Sequence, residues 1–188
     1  MSHTRLSPLL AALLLIPGAA LAHTGHNAGA PFLAGLGHPV GGADHVLAML
    51  AVGLWAAVSG GRALWAMPLA FVAAMLAGGA MGAMGVPLPG VEPVILASVI
   101  VLGSAAALAL RPGLVPALAA IALFGVAHGF AHGAEGPGSG LAPYAAGFVL
   151  ATAALHGAGL GIGLLARAQV ARVLGGLAAL SGAVLAFG

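Results

Sequence analysis

Eight histidines stand in a chain that carries only five Arg or Lys and three Asp or Glu. Their spacing points to metal chemistry. The first cluster is His38-Pro39-Val40-Gly41-Gly42-Ala43-Asp44-His45. The second is His128-Gly129-Phe130-Ala131-His132-Gly133-Ala134-Glu135. His128 and His132 are four residues apart, so on a helix both imidazoles share one face, one turn apart. Glu135 follows three residues later and continues that face. Two helical His at this spacing can hold one ion, as they do in zinc peptidases. Hydrogen-bonded imidazoles in a helix interface would show the same spacing, and Asp44 could simply cap a helix. Imidazole with carboxylate, in a chain without cysteine, suits Ni²⁺, Co²⁺, Zn²⁺ or Cu²⁺. Mg²⁺ and Ca²⁺ would want mostly oxygen.

Four further residues are secondary candidates. His156 stands alone in a later apolar stretch, and Glu92 opens another. His23 and His26 would lie at a mature N-terminus, where a free α-amine, partly deprotonated near neutral pH, could join an imidazole on a metal.

The elements that must position these groups are set by composition. Hydrophobic residues make up 62% of the 188-residue chain and charged residues 4%. Mean hydropathy is +1.17. A soluble domain carries about 25% charged residues, so a water-soluble enzyme is excluded, and so is a disordered chain. A pI of 10.6 reflects a surplus of two charges and is no nucleic-acid footprint. The solvent is lipid, and the fold class is all-α and polytopic.

Residues 1–22 read as a secretory signal: Arg5, an apolar run from Leu9 to Ile16, and Ala20-Leu21-Ala22 as the cleavage site. The mature chain, 23–188, then forms one domain. Six spans are expected at 33–58, 63–84, 92–110, 114–134, 141–165 and 170–187, with breaks rich in Gly, Pro or charge. With the mature N-terminus outside, Arg62, Arg111, Arg167 and Arg172 all fall at inner loops, as the positive-inside rule requires. Glu92 and Glu135 fall at outer loops, and the C-terminus is extracytoplasmic. The location is therefore the bacterial cytoplasmic membrane.

Pro39, Gly41 and Gly42 should break the first span, with a helix restarting near Asp44. Irregular backbone at membrane depth belongs inside protein or around a polar cavity, and broken helices build ion sites in transporters. Both clusters fall in the outer half. His156, about 22 Å along span five, falls nearer the cytoplasmic side. Glycine stripes (Gly78 and Gly82; Gly125, Gly129 and Gly133; Gly157, Gly159, Gly161 and Gly163) suggest close helix packing. The methionines read as filler. Trp55, Trp65 and Tyr144 read as interfacial belts.

The segment His38-Pro39-Val40-Gly41-Gly42-Ala43-Asp44-His45, continued by Ala48-Met49, Val52-Gly53 and Trp55, resembles the signature of the HupE/UreJ family of hydrogenase and urease accessory membrane proteins. The segment His128-Gly129 through Ala131-His132-Gly133 to Glu135 resembles that family's second motif. The resemblance implies nickel uptake, in some members cobalt, with His38, Asp44, His45, His128, His132 and Glu135 carrying the metal. The expected function is a secondary permease for Ni²⁺ or Co²⁺. The ion would be cargo with no tightly bound cofactor, no nucleic-acid partner and a functional link to urease or hydrogenase maturation. Imidazoles bind only when neutral, so capture should weaken as pH falls towards about 6. No nucleotide-binding loop is present. Two other classes remain open: a non-transporting metal-binding assembly factor, and an intramembrane zinc hydrolase with Glu135 or Asp44 as base.

Overall fold

The computed structural model describes residues 31–166 and 168–188. The expected signal segment 1–22, His23, His26 and Arg167 lie outside the described residues. Seven α-helices and one 3₁₀ turn follow in order: α1 Pro31–Gly37, the turn His38–Gly41, α2 Ala43–Ser59, α3 Ala63–Ala83, α4 Val91–Ala107, α5 Leu114–Ala134, α6 Leu141–Leu165 and α7 Ala168–Phe187. Among the described residues there is no strand. Helices α3, α5, α6 and α7 are each long and apolar enough to cross a membrane, and α1 with α2 makes a fifth such element, bent by 83°. Helix α4 has 17 residues, about 25 Å at the helical rise.

The bend falls where the sequence breaks. Pro39 lacks an N–H to continue α1, and Gly42 is extended at φ −116° and ψ 126°. The helix restarts at Ala43, so Asp44 sits in the first turn of α2. Gly60 closes that helix with φ 71°, a conformation glycine adopts without Cβ strain.

The segments pack through glycine, and the register gives their directions. Gly125 of α5 meets the backbone of Phe71, Gly129 that of Met75 and Gly133 that of Gly79. The numbers rise together, so α3 and α5 run parallel. Along α6, Tyr144 meets Gly35 of α1, His156 meets Gly53 and Gly163 meets Ala57 of α2. The bent first segment therefore runs parallel to α6. In α4 and α7 the numbers run oppositely: Ala107 meets Gly175 and Val99 meets Gly182. Segments two and four run parallel, one and five parallel, and three and six antiparallel. Gly157 and Gly161 face open space; of the five glycines on that helix Gly147, Gly159 and Gly163 pack.

One end of the bundle is basic. Arg111 Nε donates to the Val58 carbonyl at 3.0 Å and Arg172 Nε to that of Ala107 at 2.7 Å. Arg62 and Arg111 border one cavity of about 360 Å³. Trp55 corrects the expectation of a belt: it is buried, and its indole N–H donates to the Leu110 carbonyl at 2.9 Å. It ties α2 to the turn after α4. Trp65 stays exposed. Tyr144 also leaves the belt and is buried beside Gly35. Met49, Met67 and Met75 fill the core.

Candidate metal centre

Three separate segments deliver imidazoles to the end of the bundle opposite the arginines. The 3₁₀ turn carries His38, the first turn of α2 carries Asp44 and His45, and the last turns of α5 carry His128 and His132, with Glu135 at the C-cap. The restart at Ala43 aims His45 inward, and the glycine stripe of α5 lets that helix approach α3 without pushing the histidines apart.

The rings form a continuous row. His38 meets His132 edge-on at 4.6 Å between centroids, His132 meets His45 at 4.4 Å, and His45 meets His128 at 4.8 Å. Glu135 Oε2 stands 3.9 Å from His38 Nε2. One ligand atom each from His38, His132 and Glu135 lie within 4.8 Å of one another. Around an ion with bonds of about 2.0–2.1 Å, tetrahedral donors sit at about 3.3 Å. Binding would draw the three inward by side-chain rotation, which the exposed Glu135 can supply. Phe148 covers His132 at 4.4 Å, and Tyr144 approaches His38 at 5.8 Å.

Hydrogen bonds decide which nitrogen each ring offers. Asp44 lies inside the first turn of α2, past the N-cap Gly42, and its Oδ1 lies 2.9 Å from His45 Nδ1. A carboxylate can only accept, so Nδ1 carries the proton and the lone pair of His45 is on Nε2. That Nε2 is buried without a partner, as are both ring nitrogens of His132 and of His156, and Nδ1 of His128. Buried polar atoms normally find partners. These six unpartnered nitrogens belong to four rings, each of which when neutral offers one lone pair, a donor type that suits a borderline divalent cation. Asp44 stands behind His45, the usual place for a carboxylate that orients a ligating imidazole.

The row continues inward. Phe71 lies 5.5 Å from His128 and 5.1 Å from His156. His156 is 2% exposed. It is thus part of the same column, one aromatic ring below the outer cluster. Glu92 is exposed in the first turn of α4 and outside the His38–His132–Glu135 group.

Sequence reasoning missed Ser98, Phe71 and Phe148. Ser98 Oγ stands 2.9 Å from His128 Nε2. A serine in an otherwise apolar stretch of α4, which carries a second at Ser104, is the only signal it leaves. For Phe71 and Phe148 there is none, since an aromatic residue in an apolar span reads as packing.

A bundle of apolar helices with an imidazole–carboxylate cluster at one end defines a class, the polytopic helical membrane protein with a polar site among its helices. The family model described as "HupE / UreJ protein" matches residues 11–185. The chain is also 43% identical over 193 residues to Protein HupE of Rhizobium leguminosarum bv. viciae, with 100% of both chains covered. The chain belongs to the HupE/UreJ family. No solved structure matches it.

Proposed function

We propose that this chain is a secondary permease, not an enzyme, that carries Ni²⁺ or Co²⁺ inward across the cytoplasmic membrane for hydrogenase or urease maturation. The observation that carries the reading is the row of rings from His38 through His132, His45 and His128 to Phe71 and His156. A static binding site needs three or four ligands; a column that continues past them suits a moving ion. Six alternating traverses with the arginines at one end and Glu135 at the other support an orientation with the cluster outside. The ion would be captured by His38, His132 and Glu135, partly dehydrated, and passed to His45 and His128. Membership of the family supports the link to hydrogenase and urease.

One observation favours a second reading. An apolar ring, Phe71, packs against both His128 and His156. A protein that only holds metal for an assembly partner would be closed in this way.

Uptake of ⁶³Ni²⁺ into proteoliposomes separates the two. The permease reading expects wild-type uptake above that of empty vesicles, and loss of it in His45→Ala and His132→Ala. Bound nickel without flux in the wild type would leave the assembly-factor reading. The wild type taking up no more than empty vesicles overturns the permease.

A further inference from the structure

Ser98 is fully buried on α4, a helix that gives the histidine row no imidazole. Its Oγ makes two close contacts, 2.6 Å to the carbonyl of Ile95 and 2.9 Å to Nε2 of His128. The carbonyl can only accept, so the single hydroxyl proton points to Ile95. Towards His128 the oxygen can then only accept. Nε2 must carry the proton, and the lone pair of a neutral imidazole falls on Nδ1. That Nδ1 is buried and has no partner.

We propose that Ser98 is a positioning residue that holds His128 as the Nε2–H tautomer, so that Nδ1 is offered to a divalent cation as the innermost ligand of the outer cluster. The proposal rests on the metal-binding reading of that cluster. It makes His128 and His45 a matched pair in contact at 4.8 Å. Asp44 frees Nε2 of one ring and Ser98 frees Nδ1 of the other. Partners behind a ligating histidine fix its tautomer and orientation. Without Ser98 the proton of His128 can sit on either nitrogen, and half of the arrangement is lost.

The back-bond to Ile95 has a further use. It consumes the hydroxyl proton locally, and this is what turns a group able to donate or accept into an obligate acceptor. Thr keeps both features, because its hydroxyl also bonds the carbonyl three or four residues back. Ala keeps neither.

The test uses the full-length chain purified in detergent, with Ni²⁺ alone as the probe in equilibrium dialysis. Loss of such a partner typically lowers metal affinity about 10–100-fold. Ser98→Ala should weaken nickel binding by that factor, and Ser98→Thr should restore most of it. Imidazole ¹⁵N spectra, with the His128 signals assigned by their absence in His128→Gln, give an independent readout that a merely structural serine would not move. The wild type should show Nε2–H at His128, and Ser98→Ala the other tautomer or a mixture. A wild-type His128 protonated on Nδ1 overturns the proposal. So does Ser98→Ala binding nickel as tightly as the wild type, in which case the metal site itself stands. If the wild type binds no nickel, the metal reading falls and the ligand role falls with it, whatever the spectra show.

Discussion

The carboxylates nearest the histidines do different work. Glu135, exposed beside His38, is placed to meet an ion first. Asp44 is committed to His45 Nδ1. Asp44→Asn tests this division, because the amide keeps the volume and can donate to Nδ1 as readily as accept from it. The proton of His45 is then free to move to Nε2, the atom needed for metal. Nickel affinity should fall about 10–100-fold, read by equilibrium dialysis, with helix content by circular dichroism unchanged. Equal affinity would show that Asp44 does not set the tautomer. Both motifs that hold these residues were legible in the sequence, because ionisable groups in an apolar chain have few uses. What the sequence withheld was role: Asp44 reads equally well as ligand, cap or support, and the contact to His45 is what favours support. Ser98 was illegible for a related reason. A buried serine bonds its own helix by default, and its second contact spans 30 residues of chain.

Half of the expected spans were legible to within a residue, while α4 stops at Ala107, three residues short of the expected 110. Expected spans 63–84, 114–134 and 141–165 match α3, α5 and α6 to within a residue, because Gly, Pro and Arg mark each turn. The first span needed its break at Pro39 to Gly42, and the structure puts the restart at Ala43, where the backbone rules require it. The glycines were legible only as a class. Gly157 and Gly161 have the same spacing as Gly159 and Gly163 but face away from the neighbours, and spacing cannot say which side of a helix meets protein and which meets lipid. A pair of substitutions makes the distinction measurable. A Cβ on Gly129 would run into the backbone of Met75, where no side chain can yield. Gly129→Ala should therefore cost about 1–3 kcal/mol, the usual range for overpacking. Gly157→Ala meets nothing within 4 Å and should be neutral or stabilising by about 0.4–1 kcal/mol, through the unfolded chain. Thermal unfolding in one detergent compares the two. Equal shifts would show that α3 and α5 do not approach as closely as described.

At the scale of the whole molecule the arrangement is polar end to end: arginines that clamp carbonyls on one side, a histidine–carboxylate cluster on the other, and His156 between them beneath Phe71. The absence of cysteine makes the orientation directly testable with single-cysteine variants. Ser139→Cys, exposed next to the cluster, should react with a membrane-impermeant maleimide in intact spheroplasts; Pro112→Cys, exposed at the arginine end, should react only after permeabilisation. The reverse pattern would put the histidine–carboxylate cluster on the cytoplasmic side and overturn the proposed inward transport. Given that orientation, His156 separates capture from passage. It meets the column through Phe71, so removing it leaves the outer donors intact. His156→Ala should bind as much nickel per chain as the wild type in dialysis, yet carry ⁶³Ni²⁺ into proteoliposomes markedly more slowly, because an ion leaving His128 finds no ligand on the far side of the ring. Uptake equal to the wild type would mean that the ion leaves by another route and that His156 is only packed core. Loss of binding together with uptake would mean that the two compartments are one site.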